Sequence, residues 1–316
     1  MKPSTEQAKT IPISWRTLWQ WLPIIFTATL LLLIFKAVPV KDFFEALEGA
    51  NYIAFLSALL PFSIAYYTLD TAVLHYTITS FHGRLSLSSV LAIRALDYLI
   101  SILNHRLSQG AMIVYLTQHL SAKLLSITST VLFLDCLQKT HLIVWAGIGM
   151  FFLNEELPLS LVWAPIIVAT LWFFLLYSIH GGYSFRGRVI QPPNWQLLQT
   201  FRVARYQHYI FIFLFKAPLL LLAVVAHWYA IRSFGFIIPF DRLLATLPVI
   251  FLVGALPINV ARIGTTPLAW IFFHGDLIPA PKLLAYSLTA HLTFMISNAM
   301  IGLGFLPRAY RELLKK

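Results

Sequence analysis

The apolar positions of this chain gather into long runs broken by short polar knots, and the runs fall into two length classes. Residues 21–40, 51–81, 124–153, 157–179, 209–234 and 283–306 each approach or exceed the about 20 residues a helix needs to cross a hydrocarbon core. They predict six spanning helices. Two other stretches are interrupted. Within 85–121 an apolar run at 90–103 stops at Asn104-His105-Arg106-Leu107-Ser108-Gln109-Gly110, and a short run follows at 111–116. Within 238–275 a run at 243–255 stops at a Pro- and Gly-containing knot, 256–267, before a second short run at 268–273. None of these four runs spans alone. The simplest expectation is two re-entrant hairpins, each made of two half-helices. Lipid cannot satisfy free backbone N–H and C=O groups, so irregular backbone at membrane depth survives only inside protein or beside a cavity. Residues 259–266 are therefore the first place to look for a site.

Composition gives the same class. The chain is 59% hydrophobic and 11% charged, with a mean hydropathy of +0.77. These values predict an all-α polytopic membrane protein, one integral membrane domain over 1–316. The net charge of +11 does not point to nucleic acid, because a basic excess in such a chain sits in cytoplasmic loops. Thirteen of the 23 Lys and Arg fall in segments placed inside by this layout and five outside. Both termini are thus expected in the cytoplasm, in a bacterial cytoplasmic (inner) membrane.

With that topology the first hairpin, about 85–121, opens from the cytoplasm, and the second, about 238–275, opens from outside. Each is followed by a full span. Their breaks also match, Asn104, Arg106 and Gly110 in one and Asn259, Arg262 and Gly264 in the other. Oppositely oriented repeats with broken helices are the plan of alternating-access transporters.

A charge at the bilayer centre is expensive and needs a partner or a purpose. Arg94, Arg106 and Arg262 form a candidate cationic pocket, joined by Asn104, Asn259, Gly110, Gly264 and Thr265. Helix N-termini near Ala111 and Thr265 would add partial positive charge. Arginine's planar fork suits phosphate oxygens. The expected ligand is anionic, most simply a lipid headgroup. The competing reading pairs the arginines with Asp70, Asp97 and Asp135 as structural glue, and Asp135 with Lys139 one turn away reads as a neutralised couple. Tyr115 and Trp270 read as packing aromatics. In the basic loop 183–207, Asn194 could cap a short helix carrying Trp195, Leu198 and Phe201 in the headgroup layer, or the segment could be a solvated loop.

The rest of the chemistry inventory is negative. One cysteine, Cys136, allows no disulfide framework, and the ten histidines show no metal-ligand spacing. No catalytic residue, metal or cofactor is expected.

The run Leu256-Pro257-Ile258, then Ile263-Gly264, Leu268, a short helix, Pro281 and a final span resembles the second conserved block of the lysylphosphatidylglycerol synthase transmembrane, or flippase-like, family. Residues 85–135, with Gly110 before a short helix and a long span, are similar to its first block. The likeness covers about 50–306. Where that family has Gly-Glu-x-x-Arg, this chain has Gly110-Ala111-Met112-Ile113-Val114, and where it has Gly-Leu-Gly-x-Arg-Glu, this chain has Arg262-Ile263-Gly264-Thr265-Thr266-Pro267. Gly110 and Gly264 carry over, while charge has moved to Arg106 and Arg262. The tail after the last span leaves no room for a soluble synthase domain.

The resemblance implies a lipid translocase handling an anionic phospholipid or lipid-linked precursor. Two other classes stay open. One is an intramembrane polyprenyl-phosphate phosphatase or transferase, because Arg262-x-Gly264-x-Thr266 is similar to part of a signature of undecaprenyl-diphosphate phosphatases. The other is a non-catalytic assembly partner. A membrane lipid is the expected partner, and a homo-oligomer or membrane-enzyme complex is left open.

Overall fold

The computed structural model describes residues 38–101, 105–152, 159–180, 183–185, 188–190, 196–255 and 264–314, with isolated positions between 29 and 36. It is helical apart from one two-stranded ribbon. In chain order the helices are α1 (Val40–Glu48), α2 (Tyr52–His82), α3 (Leu87–Ser101), α4 (His105–Leu120), α5 (Leu124–Phe152) and α6 (Leu159–His180). After the ribbon, β1 (Tyr183–Phe185) and β2 (Arg188–Ile190), come a 3-10 turn (Gln196–Leu198) and α7 (Gln199–Val203). Then follow α8 (Tyr206–Arg232), α9 (Phe240–Gly254), α10 (Thr265–His274) and α11 (Ala280–Leu314).

Four helices among the described residues are long and apolar enough to cross a membrane, at Tyr52–His82, Leu124–Met150, Tyr206–Arg232 and Ala280–Arg308. The chain is a membrane protein. These four match expected spans; α6 follows the expected fourth run, with an apolar stretch at Ile166–Tyr177. The first expected span, 21–40, lies almost wholly outside the described residues. The segment behind it, with Asp42, Glu45 and Glu48, is α1, a surface helix with no buried residue.

Local signals set the helix ends. The Asn51 side chain caps α2, accepting from the Ala54 N–H at 3.1 Å. Gly83 stops the same helix at φ 109°, a left-handed conformation that other residues adopt only with strain. The two interrupted stretches are short-helix pairs, α3 with α4 and α9 with α10. Their lengths of 15, 16, 15 and 10 residues leave each near or below the about 17 that the shortest spanning helices use.

The helices pack in matched fashion. α2 and α8 run antiparallel: the Asn51 N–H at the start of α2 donates to Ser233 O just past the end of α8 at 2.8 Å. At the opposite ends, Tyr76 and Phe211 rings lie 4.1 Å apart. α3 packs on α11, and α9 packs on α5. Each crossing is closed by a glycine of the long helix. A Cβ on Gly302 would fall 2.6 Å from Ala95 O, and one on Gly149 would fall 2.3 Å from Ala245 Cα. Small residues let helix backbones approach this closely where water supplies no driving force. The antiparallel sense of α3 and α11 is fixed by Arg308, whose Nη2 donates to Ser88 Oγ at 2.5 Å.

Of the short helix expected in the basic loop, Asn194 and Trp195 lie outside the described residues, and α7 packs its Phe201 against protein. Thr200 and Phe201 are buried, with Phe201 edge-on to Phe133 of α5 at 5.2 Å. The Thr200 N–H donates to Ser129 Oγ at 2.9 Å, and its hydroxyl pairs with Thr130 Oγ1 at 2.7 Å. These polar contacts hold α7 in the protein.

Candidate functional site

Midway along α2, Asp70 is the one charged residue of its helix and is buried, and three side chains converge on it. Arg94 of α3 donates to Asp70 Oδ2 through Nε at 2.7 Å and again through Nη2. Tyr98, one turn on, donates its hydroxyl to the same oxygen at 3.0 Å. Lys216 Nζ of α8 reaches Asp70 Oδ1 at 3.2 Å and Gln138 Oε1 of α5 at 2.6 Å. Arg94 Nη1 also donates to Asp97 Oδ2 at 3.0 Å. Two carboxylates thus face two cations, so the cluster is neutral in formal charge although it draws on four helices.

Neutrality is what makes the cluster tolerable. An isolated charge at the helix centre costs about 2.5–3.5 kcal/mol on insertion scales, more on other measures. Close pairing with further hydrogen bonds offsets that cost, and removing one partner leaves the other stranded. Arg94 is therefore engaged with Asp70 and Asp97, the pairing that stood beside the ligand reading in the sequence. Asp135 and Lys139 of α5 likewise form their own ion pair.

The other expected site residues divide into two groups. Asn104, Asn259, Arg262 and the side chain of Arg106 lie outside the described residues. Gly110, Gly264 and Thr265 are placed. Gly110 sits inside α4, which begins at His105, so the helix N-terminus expected near Ala111 lies earlier in the chain. The polar run around His105 is itself helical, and a glycine in helical conformation continues the turn. A Cβ added to Gly110 would have no heavy atom within 4 Å, so the surface there is open. Gly264 precedes α10, whose N-terminus is at Thr265 as expected. Thr265 is buried, and its hydroxyl donates to Val253 O of α9 at 3.3 Å, which ties the two helices of that pair across the break.

Tyr115 and Trp270 occupy corresponding places on α4 and α10 and both are packing groups. Tyr115 stacks on His119 at 3.9 Å, and Trp270 stands edge-on to Tyr286 at 5.2 Å. Tyr286 pairs through its hydroxyl with His227 Nδ1 of α8 at 2.6 Å. Among the described residues no group of three His, Cys, Asp or Glu could hold a metal ion.

Tyr98 and Gln138 did not stand out in the sequence. Their signal was available: each is a polar residue within an apolar run, one helical turn from a charged one, Tyr98 from Arg94 and Gln138 from Asp135. Asn298 of α11, a polar residue in an apolar run with no charge a turn away, is buried as well.

No protein-family model matches this chain, and no curated protein matches it.

Proposed function

We propose that this protein moves lipid between leaflets, binding an anionic phospholipid or lipid-linked precursor at the two helix breaks. The observation that carries the reading is the reciprocal packing: each short-helix pair lies against the long helix of the other half, α3 on α11 and α9 on α5. Together with antiparallel α2 and α8, this supports an inverted repeat in which the pairs are re-entrant hairpins entering from opposite sides. Six spans and cytoplasmic termini complete the proposed topology. Such repeats hold their substrate near the midplane and expose it alternately to each side. The likeness to flippase-like membrane domains agrees with this plan and is part of the same proposal.

In this reading Arg106 and Arg262 bind the phosphate, with Asn104, Asn259 and the N–H groups at Thr265 completing the anion site. The open surface at Gly110 and the turn at Gly264 let a headgroup approach the backbone. Arg94 acts one layer back, fixed between Asp70 and Asp97, and holds α3 in place.

The test is a leaflet-exchange assay in proteoliposomes carrying a tail-labelled anionic phospholipid. Wild-type protein should raise the exposed fraction on a seconds-to-minutes scale, and the Arg106→Ala, Arg262→Ala double variant should lower the rate at least about tenfold. Equal rates in wild-type and empty vesicles, or no effect of the double variant, would sink the idea.

A further inference from the structure

From Tyr206 to Pro218, one face of α8 joins Leu69 of α2 in lining a groove of about 570 Å³. Its lining residues on α8 recur four apart, the spacing that keeps side chains on one side of a helix. The two ends differ. Tyr206 brings a hydroxyl and Gln207 an amide to one end, directly after the exposed Arg205. Beyond them every lining residue is apolar as far as Pro218. The distance from Tyr206 to Pro218 is about 18 Å at 1.5 Å per residue, close to the depth of one leaflet, half of a hydrocarbon core about 30 Å thick.

The groove is shaped before anything enters it. The Phe211 ring lies 4.1 Å from that of Tyr76 on α2 and stacks on Phe215 at 5.2 Å. This aromatic wall is held by protein contacts, so it loses little freedom on binding. Leu69 and Phe215 directly precede Asp70 and Lys216, the buried ion pair that joins the same two helices.

Charge selects the occupant. From Tyr183 to Gln207 the chain holds four arginines and no acidic residue. A basic segment at a membrane surface attracts anionic lipid, and arginine's planar fork suits a phosphate. We infer that the groove holds one acyl chain of an anionic phospholipid, with the phosphate at Arg205 and the chain running past Ile210 and Leu214 to Pro218. This is a second lipid site, built from residues other than those assigned to transport, and it stands whether or not the protein moves lipid. The bound lipid braces α2 against α8 beside the Asp70–Lys216 pair.

The experiment uses the whole protein in vesicles carrying trace phosphatidylglycerol with a photoactivatable group midway along one acyl chain, or phosphatidylcholine with the same chain. Labelled peptides are quantified by mass spectrometry. Residues 206–218 should take at least about fivefold more label from phosphatidylglycerol than from phosphatidylcholine, whereas α6 at the exposed Ile166 and Ile167 should take the two equally. Arg205→Gln should lower the preference several-fold. Leu214→Trp, which fills the groove from a position 62% exposed, should lower labelling of 206–218 by phosphatidylglycerol several-fold. If Leu214→Trp extracts poorly, the surface variant Arg205→Gln carries the test alone. Equal label from the two lipids in wild type overturns the inference and leaves only unselective surrounding lipid at the groove. A preference that survives Arg205→Gln undiminished overturns it too, as does full labelling of a well-extracted Leu214→Trp.

Discussion

Lys216 Nζ lies 3.2 Å from Asp70 Oδ1, joining residues 146 positions apart in the chain and both buried in the middle of long apolar helices. Its other bond runs to Gln138, so this one ammonium ties α8 to both α2 and α5. We expect Asp70→Asn to destabilise the detergent-solubilised protein by about 3–5 kcal/mol, the usual cost of stranding a buried charge. Lys216→Met should cost less, because Arg94 still neutralises Asp70. A double-mutant cycle read by thermal unfolding should give a coupling energy of about 0.5–3 kcal/mol. Additive effects would mean that the two groups do not interact in the folded protein.

The glycines at the two helix crossings give a sharper contrast. Gly149→Ala and Gly302→Ala each put a methyl group within 2.6 Å of a backbone atom on the facing helix, and overpacking of this kind costs about 1–3 kcal/mol. Gly304→Ala, where nothing lies within 4 Å, should be neutral or stabilising by up to about 1 kcal/mol. Melting temperatures of the three variants check the order, and a destabilised Gly304→Ala beside an unaffected Gly302→Ala would contradict the packing of α3 on α11.

Gly110→Ala separates folding from transport. The added methyl meets no protein atom and lies within α4, so stability should hold or rise by roughly 0.5–1 kcal/mol. If a headgroup approaches the backbone there, lipid exchange should nevertheless fall several-fold. Exchange at the wild-type rate in a stable Gly110→Ala variant would show that the open surface is not used.

A pH effect follows from the loop between α10 and α11. Slight burial opposes ionisation of Asp276, but bonds from Arg242 at 2.7 and 2.9 Å outweigh it and hold the carboxyl below its ordinary value. A carboxyl with a depressed folded-state pKa contributes stability above its unfolded value of about 3.9 and loses it as pH falls through the folded one. Wild type should therefore melt slightly above Asp276→Asn at pH 5 and higher, and the gap should close as pH drops below about 4. Because Asp276 is more than half exposed, the gap is small and salt-sensitive. A gap independent of pH would dissociate it from the carboxylate charge.

Much of the architecture was legible in the sequence because lipid imposes a length rule. Four of the six runs long enough to span became the four long apolar helices, and runs too short to span became the paired short helices. What failed was local. The polar stretch from His105 to Gly110 reads as a break, yet α4 begins at His105, since His, Arg, Ser and Gln keep a helix going once it is packed against protein. The packing of α7 was hidden for a related reason: Thr200 and Phe201 find partners on α5 that no periodicity within a five-residue helix could announce. At the site, spacing alone could pair Arg94 with Asp97, three residues apart. It could not bring Asp70 and Lys216 together, because their meeting depends on the register of α2 against α8.

The crossing of α3 and α11 also sets a clock. Ser88 and Arg308 touch in the finished protein but are 220 residues apart, and at 5–20 residues per second about 10–40 s of synthesis separate them. Through that interval the face of α3 that will meet Gly302 has no mate, and the short-helix pair it belongs to must wait in the membrane. Assembly of the first half is in this sense finished by α11.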